Sequence, residues 1–187
     1  MDTALTPQER ATLEAAMARV IPTDEHPGAR EAGAIDWLER YLAGDAVYAK
    51  PDGSGFQTLT GRLADAWERR IATLRERYRT GAAELDRVAG ERFGARFAEL
   101  EGERQDAVLA ELERGATLTR ERTQAAILED ELPFFALLAL HTRQAFYSDP
   151  VYGGNRDQVG WRHIGFPGPA TMADALEDRY TTDDYLA

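Results

Sequence analysis

Apolar side chains recur at helical spacing along most of this chain. Leu13, Ala16, Met17, Val20 and Ile21 stand at i, i+3, i+4, i+7 and i+8, which predicts one buried face on a first helix. Thr6, Pro7 and Glu9 mark its start: a capping threonine, a proline suited to the first helical position, and the glutamate of a capping box. Pro22 ends it, because proline lacks a donor and restricts the residue before it. The stretch PTDEHPGA (22–29) is therefore a loop. A second helix is predicted from Glu31 to Ala43, burying Ile35, Leu38, Tyr41 and Leu42 and stopping at Gly44.

Residues 45–57, DAVYAKPDGSGFQ, read as loop. From Leu59 a longer helix is predicted, with Leu63, Trp67, Ile71, Leu74 and Tyr78 on its inner face. Asp65 with Arg69 and Glu76 with Arg79 sit at helical spacing on a solvated face, each pair contributing about 0.2–0.5 kcal/mol. Gly81, Gly90, Gly94 and Gly102 are expected to divide the following region into short helices. The last long helix is expected over 122–146, with Pro133 either kinking it or opening a second segment. LPFFALLAL (132–140) is apolar on every side, which predicts the most buried helix of the domain. No segment shows strand alternation, so the expected fold class is all-α: an irregular helical bundle with long loops and no appreciable sheet, one domain over 1–187.

The helical pattern breaks off at YSDPVYGGNRDQVGW (147–161). Gly153, Gly154 and Asn155 are residues that adopt positive φ at low cost, so a tight, fixed turn is expected there, with no room for regular structure.

Composition narrows what such a bundle can do. With 187 residues the chain is long enough to bury a core without disulfides or metal. It has no cysteine, which excludes thiolate metal sites, iron–sulfur clusters and a cysteine nucleophile. The net charge of −11 opposes binding to nucleic acid or to an anionic membrane surface, leaving proteins and small molecules as partners. No apolar run is long enough to cross a bilayer, and MDTALTPQERATL has neither the basic nor the apolar region of a signal peptide.

Individual chemistries fail on ligand type or spacing. Gly53-Ser54-Gly55 lacks the third glycine and the flanking strand of a dinucleotide fingerprint. A di-metal bundle would need Glu three residues before His, whereas Thr23, Leu138 and Gly160 precede His26, His141 and His163 at that spacing. Asp24 and Glu25 are too few for calcium, and Asp24 reads more simply as an Asx turn or cap. Ser54 and Ser148 have no nucleophile elbow. His141 and His163 could form a proton-transfer or ligand pair, but the simpler reading gives each one hydrogen bond that fixes a loop. No catalytic and no metal-binding residue is assigned.

Two stretches carry a resemblance. VIPTDEHPGAREAGAIDWLERYL (20–42) and FFALLALHTRQAFYSDPVYGGNRDQVGWRHIGFPGP (134–169) resemble the N- and C-terminal signatures of the gluconate 2-dehydrogenase subunit 3 family, and RFAELEGERQDAVLAELE between them is similar to its middle block. The resemblance implies the small subunit of a flavoprotein complex. In such complexes a large FAD-binding subunit of the glucose–methanol–choline class oxidises a sugar or sugar acid, and a cytochrome commonly takes the electrons. The small subunit implied here holds no cofactor of its own, and it assists folding, flavin loading or export of the large one. Many relatives carry a twin-arginine leader, and Arg69-Arg70 lies inside a helix. A cytoplasmic complex is expected if Met1 is the natural start, and a periplasmic one if a leader was removed.

Two readings of the 147–161 segment then stand side by side. In one, Tyr147, Asp149, Pro150, Tyr152, Gly153, Gly154, Asn155 and Trp161 form a docking element for the partner, backed by Pro22, Thr23, Asp24, Pro27 and Gly28 of the first loop. In the other, the segment is a lid on the core, with Trp161, Ile164 and Phe166 facing inward. A different class of function, a stand-alone enzyme or small-molecule-binding protein, would use a pocket between the 22–29 and 147–166 loops with His141, His163 and Asp149 as polar groups.

Overall fold

A computed structural model of the chain describes residues 4–45, 47–50, 52, 54–115, 132–169, 174 and 177. The described helices are α1 (Pro7–Val20), α2 (Ala34–Ala43), α3 (Gly61–Phe93), α4 (Gly102–Gly115), α5 (Phe134–Tyr147) and α6 (Val159–His163); a 3-10 turn at Phe97–Glu99 separates α3 from α4, and two at Pro150–Tyr152 and Arg156–Gln158 separate α5 from α6. Among the described residues β pairing is limited to one bridge between Ala49 and Phe56, so the protein is all-α as its periodicity predicts.

The α1 cap forms as predicted. The Glu9 amide donates to Thr6 Oγ1 at 3.2 Å, and the Thr6 amide donates to Glu9 Oε2 at 2.7 Å. Gly44 closes α2 in the left-handed conformation, at φ 88°. α1 packs against α2, α3, α4 and α5, placing Leu13, Ala16 and Met17 beside Leu38, Leu74, Leu85 and Leu137 in one core. Asp86 of α3 secures this arrangement: its carboxylate accepts from Gln8 and Thr12 of α1 and from the Phe97 amide.

Three expectations need correction. Gly81 and Gly90 do not divide the chain; α3 runs through both for 33 residues and ends at Gly94. Each glycine costs an exposed helix about 1 kcal/mol relative to alanine, but tertiary packing overrides that at Gly81. There the Phe134 ring lies where a Cβ would stand. Leu63 is also not on the buried face: it is 57% exposed, and the α3 core stripe begins at Ile71. Finally, the apolar run is not buried on every side. Leu137 and Leu138 are enclosed, whereas Phe134, Phe135, Ala136, Ala139 and Leu140 are half-buried. Phe134 and Phe135 border a cavity of about 540 Å³ shared with α3 and α4. Pro133 immediately precedes α5, which matches the second-segment reading of that proline. The predicted start of the last helix, over 122–131, lies outside the described residues, as does Gly53.

Candidate functional site

The 147–161 segment is fixed to α5 by main-chain geometry. The Asn155 amide donates to the Ala145 carbonyl at 2.8 Å. Its side chain, fully buried, donates from Nδ2 to the Ser148 carbonyl and accepts the Gly160 amide on Oδ1, each at 2.9 Å. One asparagine thus satisfies backbone groups on both arms of the turn, which no apolar residue of similar size could do. Gly153 and Asn155 take positive φ, 96° and 46°, as the sequence predicts. Gly154 does not. It serves close approach instead, since a Cβ there would overlap the Ala145 carbonyl oxygen, and one on Gly160 would overlap that of Phe146.

Asp157 and Gln158 are also left-handed, at φ 53° and 56°. Aspartate tolerates that conformation, whereas nothing about glutamine announces it in sequence. With two short 3-10 turns, at Pro150–Tyr152 and Arg156–Gln158, and the start of α6, the segment holds more regular structure than expected. Asp149 opens the first turn, accepting the Val151 amide on Oδ1 at 2.9 Å, and Pro150 takes the position after it.

The aromatic residues divide by exposure. Trp161 is only 7% exposed and donates from Nε1 to the Tyr147 carbonyl at 2.8 Å, with Phe166 against its ring at 5.2 Å. It therefore faces inward, as the lid reading requires of it. Ile164 is 44% exposed and does not join that lid, and Tyr147 is 39% exposed. Tyr152 is half-buried. Its hydroxyl accepts the Ala49 amide at 3.2 Å, and its ring lies 5.6 Å from Phe56, over which Arg40 also sits.

The first loop is folded by its own polar groups. Asp24 Oδ1 accepts the His26 amide at 2.8 Å, the Asx turn predicted for it. Pro22, Thr23, Asp24 and Pro27 are exposed, and Gly28 is buried. Glu31 accepts from Thr23 Oγ1 at 2.7 Å and from the Gly28 amide at 2.8 Å. These bonds, the Thr23 hydroxyl first, hold its carboxyl below the usual carboxylate range.

The 147–161 segment meets α2 and the residues just before it, and the end of α6 meets the first loop. The Arg156 amide donates to the Ala32 carbonyl at 3.1 Å, and its guanidinium reaches Asp36 at 2.5 Å. Arg10 binds the same carboxylate at 2.6 Å and also Glu39. Arg40 donates to the Val151 carbonyl at 3.1 Å, and the rings of His26 and His163 touch edge to face at 4.8 Å. The pairs around Asp36 are partly open to solvent and each adds about 1 kcal/mol or less, but together they fix the register of the turn against α2. Arg40, Arg156 and Gly160 carry no signal in the sequence that would have selected them.

The polar groups proposed for a loop pocket do not form a set. His141 is fully buried against the rings of Trp37, Tyr41 and Tyr78. His163 is exposed against His26, and Asp149 is engaged by its own turn. The cavity that Ser148 and Tyr152 line, about 250 Å³, is completed by Trp37, Tyr41, Val47 and Gln144 rather than by the 22–29 loop. Among the described residues no three His, Asp or Glu side chains are placed to hold a metal ion, and no helix is long and apolar enough to cross a membrane.

A family model described as gluconate 2-dehydrogenase subunit 3 matches residues 7–168. No curated protein and no solved structure is similar enough to count as a match.

Proposed function

The chain belongs to the gluconate 2-dehydrogenase subunit 3 family, and we propose that it acts as a non-catalytic small subunit that binds, stabilises and helps mature a FAD-dependent sugar or sugar-acid dehydrogenase. One observation carries this reading. The two stretches on which the family resemblance rests lie far apart in sequence, yet Arg156 to Ala32, Arg40 to Val151 and His26 to His163 join them into one fixed surface. Turns held by buried backbone bonds cost little ordering entropy when a partner arrives. On this surface Tyr147 and Ile164 are the exposed apolar side chains available to the large subunit. Trp161 acts from beneath, holding the Tyr147 carbonyl in place.

The large subunit in this reading carries the FAD and the substrate, and a cytochrome accepts its electrons. The test is purification of the tagged chain from its native host, with the visible spectrum and composition of whatever accompanies it. A stoichiometric larger chain with a flavin spectrum is expected. A colourless chain that stays alone after cross-linking overturns the proposal.

A further inference from the structure

Tyr78 and His141 are fully buried, and neither belongs to the surface just described. The Tyr78 hydroxyl lies 2.7 Å from His141 Nδ1. Two polar, titratable side chains in an apolar core cost free energy unless they bond to each other, and here they do. Phenylalanine and leucine could fill the same space without that demand, so packing alone does not account for the pair.

The rings around them form a continuous path outward. His141 lies 5.2 Å from Tyr41 and 5.7 Å from Trp37, centroid to centroid. Tyr41 stacks on Trp37 at 5.0 Å and meets Trp67 edge to face at 5.7 Å. Trp67 is half-buried, donates to the Gly44 carbonyl at 2.8 Å, and borders an open cavity of about 410 Å³. Tyrosine and tryptophan are readily oxidised side chains, and the chain has no cysteine to compete with them. A phenol yields an electron at an accessible potential only if its proton leaves with it. An imidazole nitrogen at hydrogen-bond distance is the base for that transfer, provided the ring carries its own proton on Nε2.

We propose that Tyr78 and His141 are a proton-coupled redox pair, connected through Tyr41 to Trp67, by which this subunit takes up and holds one oxidising equivalent. In the step, a one-electron oxidant at the surface, a metal complex or an oxygen-derived radical, removes an electron from Trp67. Tyr78 refills that vacancy, with the Tyr41 ring serving as the bridge between them and keeping its own electron and proton. The Tyr78 O–H proton moves to His141 Nδ1, leaving a neutral phenoxyl radical beside an imidazolium. One electron leaves the protein, no proton does, and one-electron reduction returns the proton to Tyr78.

Flash oxidation of the purified chain with tris(bipyridine)ruthenium(II) and persulfate, followed by freeze-quench electron paramagnetic resonance, tests it. A tyrosyl signal is expected to persist after radicals on the exposed Tyr48 and Tyr147 have decayed. It should be lost in Tyr78→Phe and reduced in His141→Gln and Trp67→Phe. Absence of a persistent signal in the wild-type chain overturns the proposal, as does its survival in a Tyr78→Phe protein with native circular dichroism. Should Tyr78→Phe fail to fold, Trp67→Phe decides, and an unchanged signal there refutes the path.

Discussion

Replacing Asn155 probes the turn most directly, because its side chain serves two backbone groups while its own backbone is left-handed. In Asn155→Ala the buried Gly160 amide loses its acceptor, a cost of about 1–3 kcal/mol. The Ser148 carbonyl is only partly buried and regains water, so its loss lies near about 1 kcal/mol. Alanine at φ 46° adds about 1 kcal/mol more. The expected total is about 3–5 kcal/mol, a large part of the 5–15 kcal/mol that roughly spans domain stabilities. Asn155→Gly loses the same bonds but not the backbone strain, so it should be milder by about 1 kcal/mol. Urea unfolding at a common m-value measures both differences. The reasoning is refuted if Asn155→Ala loses less than about 1 kcal/mol, or if glycine costs as much as alanine.

Other substitutions test neighbouring steps. Trp161→Ala is expected to lower stability by about 3 kcal/mol or more, as for a buried aromatic, whereas Tyr147→Ala should stay within about 0.5 kcal/mol and weaken capture of the large subunit; the reverse pattern in unfolding and co-purification would exchange their roles. Gly154→Ala should be poorly folded by circular dichroism, because its Cβ meets main chain at the Ala145 carbonyl, and native spectra with unchanged melting would sink the close-approach argument. Gly81→Ala is expected to be destabilising, since Phe134 must leave its seat, although helix propensity alone favours alanine. Glu31 has a depressed folded-state pKa, so its contribution is present above the ordinary carboxylate range and is lost as pH falls through the lowered value. The stability gap between wild type and Glu31→Gln should therefore close on acidification, and a gap that widens contradicts the assignment.

Local chemistry accounts for what was legible from sequence. The Thr6–Glu9 box, Pro22, Gly44 and the Asx turn at Asp24 act over a few residues, so their outcome follows from the residues themselves. The all-α class likewise follows from periodicity, which reports burial of one face whatever that face meets. Gly153 and Asn155 announced a turn because positive φ is a property of the single residue.

Tertiary structure decided the rest, wherever a residue's role depends on what lies across from it. Gly81 reads as a helix breaker until the Phe134 ring fills the place of its missing side chain. Gly154 and Gly160 are there for two α5 carbonyls, and nothing in their neighbours reveals those distant partners. Trp161 fits either a docking element or a lid in sequence, and the bond to the Tyr147 carbonyl is what holds its ring inward. His141 reads in sequence as a residue that fixes a loop, yet Tyr78 and the surrounding rings enclose it in the core. Apolar pattern specifies which residues are buried, because burial is non-directional. Which polar groups meet depends on distance and angle across the folded chain, and that information arises only when α2, α3 and α5 are packed together.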